Sequence, residues 1–153
     1  MEERWPLSKS EFEQIYARVP RLTVEIIVRN RNHALYLTQR AAGPCEGLWH
    51  LPGGTVQFGE TLFDAVHRVA LRELSIDVKE TKDCGYIEYP SHYSKIPDSP
   101  VGLVFEVTKY NGDPMVNAEA SRGAWFTDLP NDMHPDQDEF LIKKRYLKRR
   151  PPE

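Results

Sequence analysis

The stretch Gly47–Ile76, GLWHLPGGTVQFGETLFDAVHRVALRELSI, constrains the fold most, because a glycine-rich loop leads directly into an amphipathic helix. The Gly53-Gly54 pair lets the backbone adopt positive φ and approach a ligand closely. A cap at Thr61 and apolar residues at helical spacing predict a helix over about 61–74. Glu73 continues the apolar row, so we expect its carboxylate at the edge of the buried face. This loop and helix form the first candidate site.

Other elements follow from the alternation of apolar runs and turns. Leu22–Val28 and Ala34–Thr38 read as a hairpin, and an amphipathic helix over about 8–19 is expected to lie on the core. Further strands are predicted at 85–88, 101–108 and 122–127, and a last helix at 141–148, entered through Pro135. Strands mixed with helices predict an α/β fold, a sheet between helix layers.

Length and composition bound the organisation of the chain. Its 153 residues predict a single domain over 1–153, with a frayed tail from about 148. The 20 basic and 23 acidic residues give no signal for nucleic acid or membrane binding. Cys45 and Cys84 lack metal-site spacing and no leader or long apolar run is evident, so we expect reduced thiols in a cytoplasmic protein.

The offsets within the central stretch carry a family resemblance. Gly54, Glu60, Arg68, Glu73 and Ile76 stand at the spacing of the Nudix hydrolase signature. The resemblance covers roughly residues 22–147 and implies an α/β/α sandwich with a mixed sheet. It also implies that Glu60 and Arg68 brace the loop against the helix.

The signature is reduced in this chain. The family usually has glutamates at the positions of Val69 and Arg72 and a glycine at Ser75, so two of three metal-binding helix acids are missing. In this respect the chain resembles the GDP-mannose mannosyl hydrolase subgroup, in which water attacks the anomeric carbon of the sugar. One acid can suffice for one Mg²⁺, which often takes one or two carboxylates and the substrate phosphates. Arg72 should repel a further ion and can contact a phosphate.

The subgroup resemblance implies roles for individual residues. Gly53 would offer its carbonyl and Glu73 its carboxylate to the metal, and Arg40 would assist catalysis by holding phosphate. The subgroup has an arginine where this chain has Thr55, and its general-base histidine is absent. We therefore expect Glu119, in the loop before a late strand, to be a second metal ligand or the base.

Three further residues are candidates on their own chemistry. Glu25 is unusual in an apolar strand, so it must be paired or face a cavity, and substrate binding is one interpretation. His92 and Tyr93 lie in a long loop, where a histidine can act as a base and a tyrosine ring can stack on substrate. His50 is assigned a structural role, and His134 is expected to be exposed to solvent.

These observations favour a Mg²⁺- or Mn²⁺-dependent hydrolase of a small-molecule nucleotide. The favoured substrate is a nucleoside diphosphate linked to another group, such as GDP-mannose. One alternative is conventional attack at phosphorus in a nucleoside triphosphate, nucleotide sugar or ADP-ribose. Another is a nucleotide-binding or regulatory module without turnover. The subgroup resemblance further implies a homodimer.

Overall fold

The computed structural model describes residues 7–116 and 122–151. Its helices are α1 (Lys9–Tyr16), α2 (Leu62–Leu74) and α3 (Pro135–Lys143). Its strands are β1 (Arg21–Ile27), β2 (Leu35–Gln39), β3 (Trp49–His50), β4 (Gly53–Thr55), β5 (Asp77–Glu88), β6 (Pro100–Asn111), β7 (Arg122–Phe126), β8 (Asp128–Leu129) and β9 (Lys148–Arg149). A short 3₁₀ turn spans Pro90–His92.

The strands form a mixed sheet and two smaller sheets. The mixed sheet has the order β4-β1-β6-β5, in which β1 runs parallel to β6 and antiparallel to β4. A three-stranded sheet has the order β3-β2-β7, and β8 pairs with β9. Together with the three helices this is the expected mixed α/β architecture, so the fold-class prediction is confirmed.

Strand β1 is central, and both of its faces are buried. Val24 and Ile26 join the apolar core beneath α2, whereas Ile27 joins a second core beneath α3. Successive side chains in a strand point to opposite faces, so one continuous apolar run can serve two cores. A charged side chain on this strand, Glu25, is therefore enclosed by protein.

Helix α2 forms as its sequence predicts. Thr61 is the N-cap, and its hydroxyl accepts a hydrogen bond of 3.1 Å from the Asp64 N–H. Val66 and Val69 face the core, and the helix ends at Ser75, whose φ of 57° lies in the left-handed region. The chain then turns directly into β5, which leaves Glu73 in the last helical turn.

Several expectations are wrong in detail. The predicted hairpin turns as expected, but β1 and β2 diverge into different sheets because β4 and β6 occupy both edges of β1. No residue of α1 is buried, so α1 does not lie on the core. Helix α3 ends at Lys143, two residues before Arg145 adopts a φ of 63°, and Lys148–Arg149 form β9 instead of a frayed tail.

Within the described ranges, no helix is both long enough and apolar enough to cross a membrane.

Candidate active site

A cleft of about 760 Å³ opens at the junction of the glycine loop and α2. Its walls come from α1, the start of β1, the loop after β2, strand β4, helix α2 and the segment before β6. Of the predicted site residues, the cleft is lined by Arg40, Gly53, Gly54, Arg68, Arg72 and Glu73. The fold thus brings the family motif and the preceding arginine together.

Glu73 is half-buried at the wall of the cleft. Its carboxylate accepts a hydrogen bond from the Gly53 N–H, and burial raises the pKa of Glu73 to about 7. The charges of Arg40 and Arg72 oppose this rise in pKa, and the charge of Glu25 adds to it. Glu73 is therefore a carboxylate that a bound cation would stabilise in its ionised form.

Glu25 lies beside Gly53, its partner in the β1–β4 register, with 6% of its surface exposed. A Cβ at Gly53 would collide with Glu25 Oε2, and a Cβ at Gly102 on β6 would lie 2.8 Å from Oε1. Tyr89 Oη and Thr23 Oγ1 donate hydrogen bonds of 2.8 and 3.0 Å to Oε1. The missing side chains on both neighbouring strands therefore make room for the carboxylate.

Burial raises the pKa of Glu25 to about 7, against the opposing effect of the hydrogen bonds and of Arg21 and Arg40. Glu25 and Glu73 thus flank Gly53 as two desolvated carboxylates. Hard carboxylate oxygens are the donors that Mg²⁺ prefers, and two of them match its usual protein ligand count. The residues present fit one divalent ion of this kind. Val69, at a position where the family usually has a glutamate, is buried in the core and offers no oxygen for a second ion.

Arginines surround this acidic pair. Arg40 is exposed at the start of the loop after β2, and Arg72 lines the cleft one residue before Glu73. Arg21 donates to both carboxylate oxygens of Asp98 at 2.9 and 2.8 Å, and to Thr55 Oγ1 at 2.8 Å. Arg21 was not predicted, because only the pairing of β1 with β4 and β6 brings it beside Thr55.

The Glu60–Arg68 pair ties the glycine loop to α2. Arg68 Nε donates to Glu60 Oε2 at 2.7 Å, and Nη2 donates to the Thr55 carbonyl at 2.9 Å. Hydrogen bonding by Arg68 lowers the pKa of Glu60 and holds it ionised. Gly54 packs against α2, since a Cβ there would lie 2.9 Å from Val69 Cγ2. These residues fix the geometry of the loop at the edge of the cleft.

His50 also lines the cleft, where burial lowers its pKa to about 4. Its Nδ1 lies 2.8 Å from the Leu51 carbonyl, which can only accept, so Nδ1 carries the proton and Nε2 is left as an acceptor. His50 thus reaches the site, although the sequence predicts only a structural role for it. Its position in the motif gave no signal that the side chain would reach the cleft.

Five predicted residues are not among those that line the cleft: Glu25, Glu60, His92, Tyr93 and Glu119. His92 is buried with 8% exposure, and Tyr93 is exposed beside a neighbouring depression formed with the end of α1. The 3₁₀ turn at Pro90–His92 directs the histidine inward. Glu119 lies outside the described residues.

His92 instead meets two residues for which the sequence gave no functional signal. Its Nε2 lies 2.9 Å from His134 Nε2 and 3.9 Å from Cys45 Sγ. His134 was expected to be exposed, but it is the N-cap of α3 with 5% exposure. Burial lowers the pKa of both histidines, that of His134 to about 4, and raises the pKa of the Cys45 thiol.

Comparisons with known proteins agree with this geometry. The NUDIX domain family model matches residues 19–148. The chain is 33% identical to the low-salt glycan biosynthesis protein Agl8 of Haloferax volcanii over 135 residues, covering 86% of each chain. It is 32% identical to the 8-oxo-dGTP diphosphatase of Escherichia coli over 122 residues, covering 77% of this chain and 90% of the relative.

Solved structures share the fold. The MutT NUDIX hydrolase of Burkholderia pseudomallei superimposes with a TM-score of 0.71 at 23% identity, covering 80% of this chain and 97% of that one. The family match extends over most of the chain and includes the glycine loop, the Glu60–Arg68 pair and most of the residues that line the cleft. The chain therefore belongs to the Nudix family and is a hydrolase of the Nudix type.

Proposed function

We propose that this Nudix hydrolase acts on a nucleoside diphosphate linked to another group, in the first place a nucleotide sugar such as GDP-mannose. The observation that carries the proposal is a pair of carboxylates that flank Gly53: Glu73 lies in the wall of a cleft edged by arginines, and Glu25 is buried beside the cleft. This arrangement supports one divalent ion and a diphosphate. The glycan-related name of the Haloferax volcanii relative supports the sugar nucleotide.

A bound Mg²⁺ would be held by Glu73, Glu25 and the substrate, and would neutralise charge on the departing diphosphate. Arg40 and Arg72 contact the phosphate oxygens from the cleft wall, since guanidinium groups suit bidentate binding of oxyanions. Arg21 places a guanidinium beside Thr55, where the related subgroup has its own arginine. These side chains favour a substrate with two adjacent phosphates.

In the proposed reaction the oxygen of water bonds to the anomeric carbon, and the bond from that carbon to the diphosphate oxygen breaks. The bonding electrons leave with the nucleoside diphosphate, and the water proton passes to a base. His50 lies in the cleft with an unprotonated Nε2, and Glu119 is the second candidate base. Val69 is buried at a position where the family usually has a glutamate. The site therefore has fewer carboxylates to hold the several metal ions that attack at phosphorus would use.

The test is a screen of nucleotide sugars, ADP-ribose and nucleoside triphosphates with Mg²⁺ and with Mn²⁺, in which both products are identified. We expect free sugar and nucleoside diphosphate, and in ¹⁸O-water the label should appear in the sugar. Label in phosphate, or two monophosphate products, would overturn cleavage at carbon.

A matched pair of variants tests the site itself. Glu73→Gln should lower kcat/KM by roughly 100-fold or more, because bound metal contributes several kcal/mol of charge stabilisation. Glu80→Gln, a similar change at an exposed carboxylate on β5, should leave kcat/KM unchanged. Equal activity of the two variants would exclude Glu73 from the reaction.

The similarity to an 8-oxo-dGTP diphosphatase favours a second candidate, attack at phosphorus of a nucleoside triphosphate. That reaction would release a nucleoside monophosphate and pyrophosphate, so the same product analysis separates the two. The homodimer, the cytoplasmic location and the role of Glu119 stay predictions.

A further inference from the structure

Cys45, His92 and His134 form a cluster that the proposed hydrolysis does not use. The cysteine Sγ and a ring nitrogen from each histidine all lie within 4.8 Å of one another. Both histidines are buried and Cys45 is half-buried, so the cysteine is the member of the cluster most open to solvent. A thiol and two imidazoles are the ligands of a borderline-soft metal, not of Mg²⁺.

The donor atoms are spaced within a few tenths of an ångström of two of the distances expected around a tetrahedral zinc ion. Zn–N bonds of about 2.0 Å and Zn–S bonds of about 2.3 Å place two nitrogens about 3.3 Å apart, and nitrogen and sulfur about 3.6 Å apart. The corresponding distances here are 2.9 Å between the two Nε2 atoms and 3.9 Å from Cys45 Sγ to His92 Nε2. Small rotations of the rings would bring the cluster to the geometry of a bound ion.

The groups behind the rings suit the same role. Asp98 Oδ2 lies 3.7 Å from His92 Nδ1, and Asp136 Oδ2 lies 4.0 Å from His134 Nδ1. His92 Nδ1 is buried and has no hydrogen-bond partner. The Asp98 carboxylate is the group positioned to accept a hydrogen bond from a proton on Nδ1. Carboxylates commonly orient metal-binding histidines through the ring nitrogen that does not hold the metal.

We propose that Cys45, His92 and His134 bind one Zn²⁺ through Sγ and the two Nε2 atoms, with water in the fourth position. The Cys45 thiol proton is released to solvent as the Zn–S bond forms. The Asp136 N–H now donates to His134 Nδ1 at 3.3 Å, so the proton of His134 lies on Nε2. On binding, this proton shifts to Nδ1, where it faces the Asp136 carboxylate, and the Asp136 N–H gives up its hydrogen bond to Nδ1. No electron transfer is involved.

The three ligands come from three separate segments: the loop between β2 and β3, the 3₁₀ turn after β5, and the N-cap of α3. The first of these segments begins at Arg40 of the cleft. The second continues to Asp98, which holds Arg21. The zinc ion would therefore tie together two walls of the cleft without facing the substrate. The metal site itself is independent of the proposed function.

Co²⁺ is the spectroscopic probe for this site, because a thiolate ligand gives an intense charge-transfer absorption that carboxylate ligands do not give. Titration uses the full-length Glu73→Gln variant, in which the magnesium site is weakened. We expect one Co²⁺ per chain with thiolate absorption and tetrahedral bands, and displacement of the cobalt by one equivalent of Zn²⁺. Zn²⁺ should also raise the thermal unfolding temperature.

Cys45→Ser should abolish the thiolate absorption and the Zn²⁺-dependent rise in unfolding temperature, and His134→Asn should do the same. Asp136→Asn, which replaces the supporting carboxylate with an amide, should weaken Zn²⁺ binding by about 10- to 100-fold. The matched control is Cys84→Ser, since Cys84 is a half-buried thiol that contacts Tyr146 and lies outside the cluster.

Two outcomes would overturn the proposal. One is the absence of thiolate absorption in folded Cys84→Ser protein that has been loaded with Co²⁺. The other is an unchanged spectrum and stoichiometry in Cys45→Ser. Circular dichroism of each variant shows whether it is folded, and metal content after dialysis against Zn²⁺ provides a second measurement if one histidine variant fails to fold.

Discussion

Glu25 is held by a directed series of hydrogen bonds that begins at the Leu51 N–H and passes through Gln137 on α3. The Leu51 N–H donates to Gln137 Oε1 at 2.6 Å, and Gln137 Nε2 donates to Tyr89 Oη at 2.8 Å. Because the amide nitrogen can only donate, the Tyr89 proton is directed to Glu25 Oε1, 2.8 Å away. The series favours the ionised carboxylate and opposes the effect of burial on its pKa.

Tyr89→Phe tests this arrangement. Loss of the hydroxyl should raise the pKa of Glu25 further, and should lower the free energy of unfolding by about 1–3 kcal/mol because buried partners are left unpaired. The pH midpoint of Mg²⁺ binding, measured by calorimetry, should move upward. The control is Tyr93→Phe at an exposed ring. A loss of stability with an unchanged pH midpoint would show that Tyr89 has only a structural role.

His50→Gln tests the assignment of the base. Loss of a general base should lower kcat by about 10²–10⁴-fold while Mg²⁺ affinity is retained. His67→Gln is the control, because His67 pairs with Asp77 at 2.9 Å and does not line the cleft. Full activity of His50→Gln, together with loss of activity in Glu119→Gln, would assign the base to Glu119.

At the scale of the element, α2 ends on an unfavourable residue. Ser75 adopts a φ of 57°, a conformation that costs a residue with a Cβ about 1–2 kcal/mol and that glycine adopts freely. Ser75 is exposed, so substitution removes no packing. Ser75→Gly should raise the free energy of unfolding by about 1 kcal/mol in urea denaturation. Ser75→Ala, which keeps the Cβ, should give no gain, and an equal gain in both variants would contradict the argument.

Elements with local signals were predictable from the sequence. The cap at Thr61, the apolar spacing and the glycine pair specified α2 and its loop, because each acts within a few residues. The separation of β1 from β2 was missed because pairing with β4 and β6 is set by distant segments. Arg21 and His134 were missed for the same reason: their surroundings are built from strands and loops far away in sequence.

At the scale of the whole molecule, the free energy of unfolding depends on pH through two kinds of buried group. As pH rises, buried carboxyl groups lower it and buried histidines raise it. Burial raises the pKa of Glu25 and Glu73 to about 7, so the folded state binds extra protons above about pH 4.5 and its stability falls as pH rises to about 7. Burial lowers the pKa of His50 and His134 to about 4, which makes stability rise with pH up to about 6.5. The two contributions oppose each other, so a single profile cannot separate them.

The difference between wild type and Glu25→Gln isolates the carboxylate. The amide keeps an oxygen to accept from Tyr89 and Thr23 but does not ionise. Between about pH 5 and about pH 8 the wild type should lose roughly 3 kcal/mol relative to the variant, at about 1.4 kcal/mol per pKa unit. Mg²⁺ should recover most of this loss at high pH in the wild type alone, because the cation binds the ionised carboxylate and not the amide. Urea denaturation at each pH, with and without Mg²⁺, measures the difference, and parallel profiles for the two proteins would mean that Glu25 is neither perturbed by burial nor part of the metal site.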